Sequence, residues 1–177
     1  MTSDWETVPA GQGRKDLAEL HALVNTPVKI FARARTSRVD PDEIVHETVL
    51  RLRRHLDRNP GDEPANLVPL ALRIARNLVI DHSRASRREV LLSADDLIAV
   101  EALREDDFAD RSVEIIDARN ALRALPDDLQ EVVTLVCLNE CSVQEAAQIL
   151  GIAERTAQRR YKKGRERLRR ALGAQGS

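Results

Sequence analysis

At 177 residues the chain has room for one ordinary domain or two small ones. Charged residues make up 32% and aromatics only 2%, so a core has to come from Leu, Ile, Val and Ala, a composition that suits small helical bundles. The net charge of −1 conceals a very uneven distribution, and no apolar run approaches the roughly 18 residues needed to span a membrane, which excludes membrane insertion and, with no signal-peptide core at the N-terminus, predicts a cytoplasmic protein.

Residues 1–15, with Pro9, Gly11 and Gly13, read as a flexible lead-in. A helical pattern follows over 16–35, with Leu17, Leu20, Leu23 and Val24 on one side, and Pro27 is expected to kink or divide it. The next start is "DPDEIVHETVLRLRRHLD". Asp40 suits the N-cap, Pro41 the first helical position, and Glu43 the third position of a capping box. Ile44, Val45, Thr48, Val49, Leu52 and Leu56 then form one stripe at helical spacing, and "RNPGDEP" ends the segment. A third helix is expected over 65–88, apolar in its first half and carrying Arg73, Arg76, Arg84, Arg87 and Arg88 in its second.

Composition then changes. Residues 89–117 hold ten acids and two arginines, and like charge at that density resists compaction. An acidic flexible linker over 89–111 therefore separates two helical blocks, 16–88 and 112–172, with a short flexible tail at 173–177. In the second block Ile115, Ala118, Leu122 and Leu125 mark a helix that Pro126 stops. Asp127 with Gln130 reads as a capping box for the next, which has Val132, Val133, Leu135 and Val136 for its core. After the turn "NEC", Ser142 and Glu145 form a clean S-x-x-E box opening "SVQEAAQIL", and Gly151 ends that helix.

"SVQEAAQIL-GIA-ERTAQRRYKKG" has the parts of a helix-turn-helix: a short first helix, a tight turn with glycine, and a second helix held across the first. Ala157, Tyr161, Gly164 and Leu168 fall on its inward face, leaving Arg155, Gln158, Arg159, Lys162, Lys163 and Glu166 outward. Between Arg155 and Arg170 nine Lys or Arg stand against one acid, so few (i, i+4) ion pairs can neutralise this helix as a merely solvated surface element. Arg and Gln near a helix N-terminus match guanine and adenine edges in the major groove, while Thr156 and the later cations suit phosphates.

Other chemistry is poorly represented. His46-Glu47 lacks the second histidine of a zinc-protease motif, there is no glycine-rich phosphate loop, and no nucleophile sits beside a plausible base, so the chain is not expected to be an enzyme. Cys137 and Cys141 have no local histidine to complete a zinc site; they read as buried or turn thiols, and no cofactor or metal is expected.

Taken together and in this order, "DPDEIVHETVLRLRRHLD", "LRIARNLVIDHSRASRR" and "ALRALPDDLQEVVTLVCLNECSVQEAAQILGIAERTAQRRYKKGRERLR" resemble the bacterial RNA polymerase sigma factors of the extracytoplasmic-function (ECF) group, in the sigma-70 superfamily. The resemblance covers nearly all of residues 16–172. It implies an all-α fold of two small helical domains: a region 2 bundle over 16–88 that docks on core polymerase and binds the −10 element, and a region 4 helix-turn-helix bundle over 112–172 that reads the −35 element. The implied partners are the β′ clamp helices and β flap of core RNA polymerase, promoter DNA, and an anti-sigma factor as a candidate regulator. By position, Asp40, Asp42, Glu43, Glu47 and Arg51 would face polymerase, although Asp40 and Glu43 also serve as a helix cap. Asn77, Asp81, Arg84, Arg87 and Arg88 would serve the −10 element, with the loop 57–66 capturing a flipped base. Arg155, Thr156, Gln158, Arg159, Arg160 and Lys163 would meet the −35 element.

Several positions depart from the family's usual pattern. His46 stands for a Gln, Val49 for an aromatic, and Leu70 and Leu72 for Trp and Tyr. Aromatics of that kind stack bases, at about 1–3 kcal/mol each. Cys141 replaces a turn glycine, which leaves Asn139 as the residue suited to a left-handed backbone. Ala153 replaces a capping Ser, a loss of roughly 1 kcal/mol, and Gly164 inside the recognition helix reads as a defect of about the same size. The competing reading is a helix-turn-helix regulator that acts without polymerase; it accounts for the second block and gives the "RIARN" block no role.

Overall fold

A computed structural model describes residues 16–36, 39–60, 66–92 and 113–173; within it, side chains are described except at 86–92 and 113–115. Every regular element among the described residues is helical: α1 (Leu17–Arg35), α2 (Pro41–Arg58), α3 (Val68–Leu92), α4 (Val113–Arg123), α5 (Asp127–Val133), α6 (Val143–Leu150) and α7 (Glu154–Gly173), with one π-helical turn (Thr134–Leu138) prolonging α5. The lead-in 1–15, residues 93–111 of the linker expected over 89–111 and residues 174–177 of the tail expected over 173–177 lie outside the described residues, whereas 89–92 continue α3 and Gly173 ends α7.

Helices α1 to α3 pack as one bundle. Asp16 caps α1 in a reciprocal box with Glu19, each side chain accepting from the other's backbone N–H at 2.8 Å. Helix α1 runs unbroken through Pro27 rather than dividing there, and its buried face is Leu20, Val24, Val28 and Phe31, a stripe three to four residues apart. Leu17 and Leu23 are 48% and 40% exposed, correcting their assignment to that face. Leu23 is one residue ahead of Val24 and so about 100° round the helix. Helix α2 buries all six residues of its expected stripe. Asp40 accepts from the Asp42 N–H at 2.9 Å, Pro41 is the first helical residue, and the Asn59 amide donates to the last-turn His55 carbonyl. Helix α3 starts where the Asn66 side chain accepts from the Val68 N–H at 3.0 Å. It continues four residues past the expected end at 88. Val49 and Leu72 are buried and Leu70 packs against the same core, so the positions lacking aromatics are filled by bundle packing.

The second bundle departs from expectation in three places. On α4, Ala121, Leu122 and the following Leu125 are buried but Ala118 is exposed. Helix α5 is not opened by a capping box: Pro126 precedes it without a side-chain cap, and Gln130 turns away to another bundle. In the "NEC" turn the left-handed residue is Glu140, at φ 55°, while Asn139 has φ −96° and uses its side-chain amide to donate to the Pro27 carbonyl at 2.8 Å. The π-helical turn closes with the Asn139 N–H donating to the Thr134 carbonyl at 3.1 Å.

The two bundles pack directly on each other. One continuous apolar cluster contains Phe31, Ile44, Leu52 and Leu72 from the first together with Val132, Leu135, Ile149 and Leu150 from the second. A smaller cluster joins Ala34 of α1 to Leu122, Leu125, Leu129 and Val133. Two polar seams border this interface. Arg76 donates to both carboxylate oxygens of Glu131, at 2.8 and 3.2 Å, and Arg35 approaches the same carboxylate at 3.8 Å while donating to the Gln130 side chain. The Glu131 and Arg35 side chains are only 7% and 8% exposed. Elsewhere the Gln130 amide donates to the Ala34 carbonyl at 2.9 Å, and Arg73 donates to the Gln148 carbonyl at 2.8 Å.

Candidate nucleic-acid interface

The helix-turn-helix is α6 and α7. Ser142 and Glu145 form the expected box: the Ser142 hydroxyl accepts from the Glu145 N–H at 3.1 Å, and the Glu145 carboxylate accepts from the Ser142 N–H and hydroxyl, each at 2.8 Å. Those hydrogen bonds stabilise the charged form and hold the Glu145 carboxyl below its usual range. Gly151 ends α6 at φ 66°, a left-handed conformation that suits glycine. The Ile152 N–H then bonds back to the Ala147 carbonyl at 3.0 Å. Helix α7 begins after Ala153, which has no side-chain oxygen to cap it, so Glu154 supplies the only negative charge of the first turn.

Small residues set how close α7 lies. Ala157 and Gly164 are buried, with Tyr161 and Leu168 half-buried beside them, as the inward stripe requires. A Cβ built on Gly164 would stand 2.5 Å from Val133 Cγ2, closer than any real contact, with Leu129 next to it. Gly164 is thus the point where α5 and α7 cross. The reading of it as a defect is overturned: its helix-propensity cost is exchanged for a close helix crossing.

Outward, Arg155, Gln158, Arg159, Lys162, Lys163 and Glu166 are all exposed. Gln158 is oriented by its neighbour one turn back, its amide donating to the Glu154 carboxylate at 3.0 Å. Thr156 is half-buried, and Arg160 leans back to pair with Asp128 of α5 at 3.4 Å. A groove lined by Pro126, Asp128, Leu129, Arg159, Arg160, Lys163 and Arg167 runs along this side, with Asp128 the one acid among its four basic residues. Arg165 lies over the Tyr161 ring, 5.5 Å from its centre. The arrangement can place Gln158 and Arg159 against base edges and the later cations against phosphates.

On α3, Asn77, Asp81 and Arg84 project from the exposed side of its basic half. Arg87 and Arg88 continue the same helical backbone, and their side chains lie outside the described residues, as do residues 61–65 of the loop 57–66. Arg73 and Arg76, on the same helix, are the members of this basic set already engaged by the second bundle.

The acidic start of α2 is a separate surface. Asp42 pairs with Lys29 of α1 at 2.6 Å, and Glu43 is exposed. Glu47 pairs with Arg51 at 2.8 Å, and that hydrogen bond, reinforced by the neighbouring positive charges, lowers its carboxyl from the usual range. Asp40 caps the helix and is itself exposed. The remaining polar chemistry is not clustered for metal binding among the described residues. Cys137 is exposed with its sulfur 3.6 Å from the Tyr161 hydroxyl, and burial pushes the Cys141 thiol up to about 11. No helix among the described residues is long and apolar enough to cross a membrane.

Comparison with known proteins converges on this geometry. The family model for sigma-70, region 4, matches residues 115–168. The chain is 32% identical over 152 residues to the ECF RNA polymerase sigma factor EcfG of Rhodopseudomonas palustris, covering 85% of this chain and 81% of that one. It is 29% identical over 129 residues to the ECF RNA polymerase sigma factor SigM of Bacillus subtilis, covering 72% and 77%. Among solved structures it is similar to the sigma factor RpoE in complex with the anti-sigma factor NepR from Bartonella quintana. That match has a TM-score of 0.73 at 27% identity and covers 90% of this chain and 98% of that one. The fold also matches CnrH in complex with the cytosolic domain of CnrY, with a TM-score of 0.62 at 23% identity over 89% and 88% of the two chains.

Proposed function

The chain belongs to the ECF RNA polymerase sigma factors, and on that premise we propose how its surfaces divide the work of promoter recognition. The bundle of α1 to α3 docks on core polymerase through the acidic face of α2, with Asp42, Glu43, Glu47 and Arg51 as contacts. The basic half of α3 serves the −10 element through Asn77, Asp81, Arg84, Arg87 and Arg88. Helix α7 reads the −35 element through Arg155, Gln158 and Arg159, with Lys163 on phosphates; Thr156 and Arg160 support from the edge of that face. This gives the α1–α3 bundle a role that a free-standing helix-turn-helix regulator would not. An anti-sigma factor is the class of regulator expected, since the RpoE relative was solved with one.

The observation that carries this reading is the exposed outer face of α7, with its cations on a helix whose inner face is packed through Ala157 and Gly164. A lone recognition helix touches few base pairs, so specific binding needs the second contact that polymerase positions. The test is a titration. The chain should bind core polymerase stoichiometrically, bind free duplex poorly, and start transcription at defined sites when the two are combined. Tight duplex binding without polymerase affinity would overturn the proposal. Within it, Gln158→Ala or Arg159→Ala should cost about 1–3 kcal/mol and relax preference at one base pair, whereas Lys163→Ala should weaken all sequences alike.

A further inference from the structure

We propose that Glu154 sets the base preference of Gln158, committing its side-chain amide to adenine over guanine at one base pair of the −35 element. The inference rests on the reading of α7 as the −35 helix. Helix α7 opens at Glu154, where Ala153 supplies only its carbonyl, accepting from the Thr156 and Ala157 N–H groups at 2.9 and 3.1 Å. Glu154 and Gln158 stand one turn apart on the exposed face, and the Gln158 amide donates to the Glu154 carboxylate at 3.0 Å. A negative charge favours a helix N-terminus. On a helix that carries nine cations for DNA, however, it also repels the phosphates those cations attract, so affinity does not account for it. The hydrogen bond to Gln158 gives it a second use.

The chemistry of the pair fixes which way round the amide stands. An ionised carboxylate only accepts hydrogen bonds, so the Gln158 atom turned to Glu154 is the nitrogen. One of its two N–H bonds is thereby used. What remains for the major groove is the carbonyl oxygen and one N–H, an acceptor beside a donor. Adenine presents the complement, its N6 amino group as donor and N7 as acceptor. Guanine presents two acceptors, O6 and N7, and offers the Gln158 carbonyl no donor. A free glutamine can turn its amide and direct both N–H bonds at guanine. Gln158 can do so only by giving up Glu154 and leaving that carboxylate unpartnered.

In the free chain this (i, i+4) contact lies between two exposed side chains and adds little to helix stability. Docking in the groove displaces water from both groups and lowers the local dielectric, which strengthens the bond at the moment it discriminates. It also raises the cost of any polar atom left unpaired, and that cost is what separates one purine from the other. Glu154 is therefore a positioning residue: it acts on the promoter through Gln158 and needs no base contact of its own.

The test reads base preference rather than affinity. Holoenzyme assembled from core polymerase and the wild-type chain selects duplexes from a random library, and each variant holoenzyme is then titrated with all four bases at the pair that Gln158→Ala relaxes. The wild type should favour adenine over guanine there by about 10–100-fold. Glu154→Ala should cut that ratio by about tenfold. Glu154→Gln should do the same, because its own amide can donate to the Gln158 carbonyl and so permits either orientation. Taking a ratio cancels the gain in affinity for every sequence that follows loss of a negative charge. In the Q158A background, E154A should leave the pair unchanged, since its effect runs through Gln158. An unchanged ratio in E154A, an E154A effect that persists in Q158A, or a wild-type preference for another base would each overturn the proposal. So would a Q158A chain that keeps every preference, or an E154A change confined to a neighbouring cytosine, whose N4 the carboxylate would then be reading itself. A chain that fails to co-purify with core polymerase at all would instead overturn the sigma-factor reading, and a pull-down reads that separately.

Discussion

The two bundles differ in what stands where their helices meet. In the first, Leu20, Phe31, Ile44, Leu52, Leu67 and Leu72 are fully or almost fully buried, and bulk fills the space between three long helices. In the second, Leu129, Val132, Leu135 and Ile149 are buried as well, but Ala146, Ala147, Ala157 and Gly164 stand at the contacts of α6 and α7, where the absence of bulk lets the helices approach closely. A core built from large side chains is damaged by removing atoms; one built from small side chains is damaged by adding them. The region that must present a helix to DNA is thus the one least tolerant of growth.

Substitutions can sharpen or break that contrast. The largest effect is expected from Phe31→Ala, which should lose about 3–5 kcal/mol in denaturant unfolding by emptying the centre of the first bundle. Next comes Gly164→Ala. Helix propensity alone would stabilise it by about 1 kcal/mol, yet the Val133 clash should make it destabilising by about 1–3 kcal/mol. Adding Val133→Ala should return part of that loss; if G164A instead raised stability by itself, the close crossing of α5 and α7 would be wrong. Ser142→Ala should cost about 1 kcal/mol near neutral pH. The Glu145 carboxyl is held below its ordinary range, so the stability it contributes is present above that range and lost as pH falls through the lowered value. The gap between S142A and wild type should therefore narrow below about pH 4; a gap that widened there would contradict the box. Smallest is a difference in reactivity: maleimide at neutral pH should label exposed Cys137 before half-buried Cys141, as peptide mass spectrometry would read.

Much of the candidate site was legible because it depends on neighbours in sequence. The inward and outward faces of α7 follow from 3.6-residue periodicity, and each residue that periodicity placed outward is exposed. Arg160, expected among the −35 contacts, is only half-exposed. It lies on the border of that face, and only the nearby Asp128 draws it back. Arg73 and Arg76 were visible as charges on a basic helix, but nothing in their surroundings along the chain marked them as engaged. Gly164 was misread for the same reason: propensity counts its cost within one helix, while its benefit lies on another.

The sequence by itself determined the helices, the caps of α1, α2 and α6, and the buried stripe of α2. Asp16 with Glu19, Asp40 with Pro41, and Ser142 with Glu145 act within one turn, and the six-residue stripe of α2 needs only helical spacing. Tertiary structure alone decided which polar groups would serve the union of the two bundles. Gln130 reaches a carbonyl 96 residues away and Arg76 a carboxylate 55 residues away. Local rules had assigned Gln130 to a cap and left Glu131 unremarked. A side chain at a buried interface takes the partner that satisfies it there, because an unpaired buried polar group costs more than any local hydrogen bond it gives up.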